Sequence, residues 1–419
     1  MVLQKADLVV IGAGPAGVAA AIKAKEMGVN NVIIMERAEQ LGGLLHQCIH
    51  NGFGLQYFKE DLTGPEYAYN FIEKAKGLGI KFLLETMALD ISPKREITAV
   101  SNKEGIINLH PKAIILAMGC RERTRGAINI PGTRPAGIFT AGVAQRFVNV
   151  EGFIPGKKVV ILGSGDVGMI MARRLTLEGV KVEAMVEILP YVGGLIRNEV
   201  QCIHDFNIPL FLEHTVVDVH GTERVKAVTI AKIDKDRNPI YKTKRKIECD
   251  TLLLSVGLIP ENELSLKAGI KLDPVTGGPI VDETMQTNVS GIFAAGNVVH
   301  VHDLVDYVSF EGELAGSNAA NYILSQALFP KMKINLKAGE GIRYIVPSTI
   351  SGQKKATLYM RVLKPDRDVV VKVGDDFLRK HLPIVKPSEM LKIIIPLSKL
   401  KMLKDETKEL TISCTKGRK

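Results

Sequence analysis

The chain reads as an α/β protein of two similar doubly wound domains, the second inserted in the first, with a small β-rich module after them. Three observations predict this. A glycine-rich pattern occurs twice, at residues 9–45 (VVIGAGPAGVAAAIKAKEMGVNNVIIMERAEQLGGLL) and 160–196 (VILGSGDVGMIMARRLTLEGVKVEAMVEILPYVGGLI), offset by 151 residues without a gap. Two apolar runs that stop at a glycine also match each other, residues 113–120 (AIILAMGC) and 251–258 (TLLLSVGL), and a third, 291–297 (GIFAAGN), follows both. From about residue 342 the texture changes to short Val-, Ile- and Tyr-rich runs (IRYIVP, ATLYMRVL, DVVVKVG, LKIIIP) broken by Pro and Gly, the pattern of a small antiparallel module. The expected domains are 1–120 with 259–330, then 121–258, then 331–419.

Each element follows from local chemistry. Residues 7–11 are an apolar strand running into a glycine turn, 15–27 an alanine-rich helix, and 32–35 a second strand ending at Glu36. This strand–turn–helix–strand context turns a weak G-x-G-x-x-G match into a Rossmann-like dinucleotide fingerprint. Gly12 makes the tight turn, Gly14 lets backbone approach a pyrophosphate, and Gly17 lets helix pack on strand. The helix N-terminus offers its partial positive charge to phosphate. Glu36, 19 residues after the third glycine, can accept from a ribose diol. The second copy repeats every part with Gly163, Gly165, Gly168 and Glu187. Each glycine-ended apolar run closes one domain beside its fingerprint, and residues 307–324 form a helix with small residues spaced for close packing. A chain that holds two dinucleotides is built to pass electrons between them.

Composition narrows the field. At 419 residues there is room for two or three cores, and 46% hydrophobic with 24% charged residues is ordinary for a globular protein. No apolar run approaches the roughly 20 residues that cross a bilayer, and MVLQKAD lacks the form of a signal peptide, so a cytoplasmic location with no transmembrane segment is expected. Cys48, Cys120, Cys202, Cys249 and Cys414 include no C-x-x-C pair, which argues against a disulfide framework and against a bound metal or iron–sulfur cluster. The charge is uneven: residues 331–419 carry 21 Lys/Arg against 9 Asp/Glu, while the rest carries 34 against 36. That module is either a solvated lysine coat or a docking face for an acidic partner subunit. Nucleic acid is not expected, because aromatic residues are sparse there and no recognition motif occurs.

Paired fingerprints, the AMG and SVGLIPEN closures and GIFAAGN resemble the two-dinucleotide-domain flavoproteins, the pyridine nucleotide-disulfide oxidoreductase-like family, over about residues 1–330. The resemblance implies FAD on the first fingerprint and NAD(P)H on the second. It carries FAD contacts to Gly12, Gly14, Pro15, Ala16, Gly17, Glu36 and Arg37, with Gly43, Ala88, Ala117 and Gly119 nearby. Gly296 and Asn297 match the family's Gly-Asp, with Asn in place of Asp. On the second fingerprint it implies Gly163, Gly165, Asp166, Val167, Gly168, Glu187 and Gly257. Glu187 followed by Ile188, Leu189 and Pro190, with no Arg cluster, favours NAD(H) over NADP(H). Within that family, LGGLLHQCIHNGFGL, LTGPEYA, GCRERTRG and RPAGIFTAGVAQ resemble a subgroup without a redox dithiol. These are accessory flavoproteins associated with glycerol-3-phosphate dehydrogenase, with relatives in opine oxidase, sarcosine oxidase and hydrogen cyanide synthase. The subgroup implies electron transfer to or from a glycerol-3-phosphate dehydrogenase-like flavoprotein partner, with room for a small iron–sulfur protein.

Flavin performs hydride chemistry itself, so side-chain candidates are few. Cys48, shortly after Gly42 and Gly43, is either a single redox cysteine of the sulfenic type or a small buried hydrophobe. The first reading makes the chain a stand-alone NADH oxidase or peroxidase. His46 and His50 flank it and either tune its pKa or pack. His300 and His302 are expected either to face the flavin's pyrimidine end or to make structural hydrogen bonds. Arg121, Arg123 and Arg125 are either interdomain ion pairs or a site for an anion. A further alternative is a subunit that binds nucleotides without turnover.

Overall fold

The computed structural model describes residues 2–325, 334–375, 377–403 and 406–417. They group into two compact units, Met1–Cys120 with Pro260–Lys419, and Arg121–Ile259. The expected boundary at 330/331 lies outside the described residues.

In the first unit a five-stranded parallel sheet runs in the order Ile292–Ala294, Ala113–Leu116, Leu8–Ile11, Val32–Met35, Lys81–Leu83. Its three central strands are buried along their whole length, which is why they read as continuous apolar runs rather than alternating ones. Helix Pro15–Glu26 packs against the long helix Val305–Ser325, and small residues set the distance. A Cβ on Gly312 or Gly316 would sit 2.3 and 2.2 Å from the carbonyl oxygens of Ala16 and Ala20. Helix Gly64–Gly77 opens with a capping box between Thr63 and Glu66 and buries Tyr67 and Phe71. A second, four-stranded sheet holds Val2–Gln4, Gly105–Leu109, Ile97–Ser101 and Thr86–Ile91.

The β-rich C-terminal module belongs to this first unit. It has two sheets, one of five strands and one of three, around its own cluster of Val, Ile and Leu. The four runs read as strands are all strands, Ile342–Val346, Ala356–Val362, Asp366–Val373 and Leu391–Ile395. The module is not purely antiparallel: Ile334–Ala338 pairs in parallel with Glu409–Lys416, joining the two ends of the module in one sheet.

The second unit repeats the parallel sheet in the order Ile138–Thr140, Thr251–Leu254, Lys158–Leu162, Lys181–Val186, Leu210–Phe211. An antiparallel sheet of His214–His220, Ala227–Lys232 and Arg245–Glu248 completes it. Among the described residues no helix is long and apolar enough to cross a membrane.

Candidate functional site

Parallel strands deliver their C-terminal ends to one edge of a sheet, where ligands of such folds bind. In the first unit that edge gathers four expected segments. Ile11 leads to Gly12, Met35 to Glu36, Leu116 to Ala117 and Gly119, and Ala294 to Gly296 and Asn297. Gly12 has φ +102°, and a Cβ there would lie 2.4 Å from the Ala117 carbonyl oxygen, so turn and neighbouring strand end are in backbone contact. A Cβ on Gly17 would strike the Gly12 carbonyl oxygen at 1.9 Å, whereas one on Gly14 would meet nothing within 4 Å. The three glycines therefore do three different things. Helix Pro15–Glu26 has no side-chain cap at its N-terminus, which leaves its first N–H groups for an anion. Glu36 is half-buried, accepting from Ala13 N–H at 2.8 Å and Ala38 N–H at 2.9 Å. Its remaining lone pairs can take a diol. Gly43 approaches Gly14, while Arg37 is exposed and Ala88 is buried in its strand.

The second unit builds the same edge. Gly163 has φ +92° and its Cβ would lie 2.1 Å from the Ser255 carbonyl oxygen, as Gly12 does against Ala117. The helix from Asp166 to Leu177 again lacks a side-chain cap. Two serines add what the first unit lacks. Ser255 Oγ accepts from Gly168 N–H at 3.1 Å. Ser164 donates from N–H and hydroxyl to Glu187 Oε2 at 2.8 and 2.6 Å, and its Oγ accepts from Gly193 N–H at 2.7 Å. Glu187 is 5% exposed and also takes Leu189 N–H at 2.9 Å. Asp166 Oδ1 accepts from Leu195 N–H at 2.9 Å and Asn198 Nδ2 at 2.6 Å, tying the second Gly-Gly loop to the fingerprint. Val167 is half-buried, and Gly257 is exposed at the end of its strand.

Both edges thus fit dinucleotides: backbone approaches closely, uncapped helix ends await phosphate, and a carboxylate stands at ribose distance in the pattern. The side-chain candidates fare differently. Cys48 donates weakly to the Leu44 carbonyl at 3.4 Å, and burial pushes its thiol up to about 12. At neutral pH that sulfur is a protonated thiol, a poor nucleophile. His46 Nε2 is bound to the Leu41 carbonyl, and His50 stacks on Phe53 with ring centroids 5.1 Å apart. None of the five cysteines forms a disulfide.

His300 and His302 make structural hydrogen bonds to Glu311. Both are buried, 1% and 8% exposed, with rings 4.2 Å apart beneath Tyr344 and Tyr359 of the C-terminal module. Their Nε2 atoms lie 3.0 and 3.2 Å from Glu311 Oε1 and Oε2. Burial, then neighbouring His302, pushes His300 down to about 4. Burial works to raise Glu311, but His302 and His300 outweigh it and hold the carboxyl at about 2. These three are the group of metal-ligand type among the described residues. Glu311 already takes three N–H donors, counting Gly296, so the cluster is a hydrogen-bonded triad. Of the arginine cluster, buried Arg125 donates to the carbonyls of Ile130, Pro131, Gly132 and Thr133 at 2.5–3.2 Å and pins that loop. Sequence reading misses Ser164, Ser255 and Glu311, since single polar residues at these positions carry no local signal.

Comparison with known proteins agrees with the geometry. The family model "Pyridine nucleotide-disulphide oxidoreductase" matches residues 6–315. One of the opine oxidase subunits of Agrobacterium tumefaciens is 25% identical over 309 residues, covering 70% of this chain and 61% of that one. The HcnB subunit of hydrogen cyanide synthase from Pseudomonas protegens is 26% identical, covering 63% and 59%. The chain thus spans about six tenths of the length of these two relatives. Thioredoxin reductase of Listeria monocytogenes is 26% identical, covering 76% and 93%. The crystal structure of T. acidophilum thioredoxin reductase superposes with TM-score 0.63 at 25% identity, covering 76% of this chain and 98% of that one. An NAD-dependent persulfide reductase from A. fulgidus shares the fold over 94% of this chain and 71% of its own, with TM-score 0.58 and 19% identity. The chain belongs to the pyridine nucleotide-disulphide oxidoreductase family.

Proposed function

We propose that the chain moves hydride between NADH, held at Gly163–Gly168 and Glu187, and FAD, held at Gly12–Gly17, Glu36, Gly296 and Asn297, and exchanges the electrons with a partner protein. The observation that carries this reading is the pair of complete fingerprints in a chain whose five cysteines form neither a disulfide nor a C-x-x-C pair. FAD, when bound, supplies the hydride chemistry. The protein's own residues bind and orient. Uncapped helix ends take the pyrophosphates, Glu36 takes a ribose diol, and Asn297 keeps a hydrogen-bonding side chain without a charge. Glu187, buried and fixed by Ser164, accepts a 2′-hydroxyl and repels a 2′-phosphate, which selects NADH over NADPH.

Two relatives named as subunits, of opine oxidase and of hydrogen cyanide synthase, support a partner for this chain. The motif resemblance makes that partner a glycerol-3-phosphate dehydrogenase-like flavoprotein, with a small iron–sulfur protein alongside. The basic C-terminal module is the docking face.

The test is anaerobic. The visible spectrum of the purified chain is recorded, then NADH and NADPH are added to separate samples. Bleaching of a flavin band at roughly 450 nm by NADH, and much less by NADPH, is the expected result. A yellow protein that neither nucleotide bleaches would overturn the assignment of the second fingerprint. A colourless chain that takes up no FAD would overturn the whole reading.

A further inference from the structure

Gly296 ends the strand Ile292–Ala294 at φ +78°, a backbone conformation that favours glycine. Its N–H donates to Glu311 Oε2 at 2.5 Å. Glu311 rises from the long helix and is 1% exposed. His300 and His302 grip its two oxygens, and His302 in turn donates its backbone N–H to Asn297 Oδ1 at 3.0 Å. These five residues close a ring of hydrogen bonds around the turn that carries Asn297. Among the described residues both His Nδ1 atoms are buried with no hydrogen-bond partner, so Glu311 is the polar anchor of either ring.

The C-terminal module clamps this turn from outside. Arg361 donates to the Val301 carbonyl at 3.0 Å and pairs with Asp303, and Asp303 Oδ2 also accepts Met390 N–H at 2.5 Å. Tyr359 lies 5.7 and 5.4 Å from the two imidazole rings and keeps water off the triad.

A carboxylate sealed from water is costly unless donors converge on it. A purely space-filling role at this junction would be met as well by Met or Leu. Here one of the three donors is the amide of Gly296, so the carboxylate fixes the Ala295–Gly296 peptide, one residue before Asn297. We propose that Glu311 is a positioning residue of the FAD site, holding through Gly296 the turn that presents Asn297, and that the C-terminal module keeps this hold in place. The inference rests on the reading of Gly296 and Asn297 as FAD contacts.

The experiment uses the full chain, stripped of flavin and titrated with FAD, followed by flavin fluorescence, the visible spectrum and the midpoint potential of the bound flavin. Glu311→Gln keeps the shape and loses the charge. It should weaken FAD binding roughly ten- to hundredfold and move both spectrum and potential. Arg361→Lys keeps the charge but loses the planar fork, and should move the same readouts less far in the same direction. Affinity, spectrum and potential equal to wild type in Glu311→Gln would overturn the inference alone. Should that variant not fold, the same equality in Arg361→Lys overturns it. A wild-type chain that takes up no FAD overturns the site assignment, and this inference with it.

Discussion

Arg361, on the strand Ala356–Val362, forms an ion pair with Asp303, and only 12% and 9% of the two side chains are exposed. Arg361 also donates to Tyr344 Oη at 3.1 Å and the Pro387 carbonyl at 2.9 Å, so all three of its guanidinium nitrogens are engaged. Removing one partner of such a pair strands the other charge away from water. Arg361→Ala should therefore cost about 3–5 kcal/mol, while the double change Arg361→Met with Asp303→Leu recovers much of the loss. Guanidinium unfolding of the full chain checks both. A single variant as stable as wild type would mean that water reaches the pair.

The first fingerprint separates folding from binding. No atom lies within 4 Å of a Cβ on Gly14, whereas one on Gly17 would stand 1.9 Å from the Gly12 carbonyl oxygen. Gly14→Ala should stay within about 1 kcal/mol of wild type, yet retain little FAD, because the added methyl occupies the path of the pyrophosphate. Gly17→Ala should lose about 1–3 kcal/mol, since backbone must shift to admit it. Tm and the flavin-to-protein ratio after gel filtration distinguish the two. Equal losses of stability would refute the division of labour.

That division is legible in the sequence because it is local. Gly12, Gly14, Gly17 and Glu36 lie within one strand–turn–helix–strand stretch, and the second copy repeats their spacing with Gly163, Gly165, Gly168 and Glu187. The turn at residues 296–303 is not. His300 and His302 follow Asn297 closely, and nothing local shows that their rings lie against Tyr344 and Tyr359, more than 40 residues later. Glu311 looks like one more charge on an amphipathic helix, and Asp303 meets Arg361 across 58 positions. The parallel pairing of Ile334–Ala338 with Glu409–Lys416 likewise joins runs that carry no local sign of each other. Pattern reports periodicity and turn chemistry; it does not report which distant side chain satisfies a buried donor.

Cys48 offers a clean test of chemistry against packing. Burial holds its thiol at about 12, so a thiolate is scarce at neutral pH. Cys48→Ser should leave NADH-dependent flavin reduction within roughly twofold of wild type, measured by anaerobic stopped flow. Peroxide turnover that vanishes in the variant would restore a redox role for this sulfur.

The charge of the C-terminal module predicts how a partner binds. With 21 Lys/Arg against 9 Asp/Glu over residues 331–419, association with an acidic partner should be steered by its field. Raising ionic strength from about 0.05 to 0.5 M should slow association by roughly tenfold or more, with a smaller effect on dissociation. Surface plasmon resonance of the two proteins reads both rates, and an association rate indifferent to salt would count against this docking face.

Acid should loosen the first unit in two consecutive steps. His300 titrates near 6.5 when unfolded but is held at about 4 in the fold, chiefly by burial and then by His302. Between those values the unfolded chain takes up a proton that the folded chain refuses. Stability is therefore intact above about pH 6.5 and falls with pH below it, by about 3 kcal/mol in total at His300. Glu311 continues the trend. Its ordinary value is 4.5 and its folded value about 2, the two histidines outweighing the effect of burial. Its contribution is present above about pH 4.5 and is lost as pH falls towards 2. Urea midpoints taken from about pH 7.5 to 3 should show the decline, and His300→Gln isolates its upper part. Glutamine can still donate an N–H to Glu311 but has no proton to gain, so the slope between about pH 6.5 and 4 should flatten while stability at neutral pH drops by about 1–3 kcal/mol. An unchanged slope in that variant would assign the acid sensitivity to other groups.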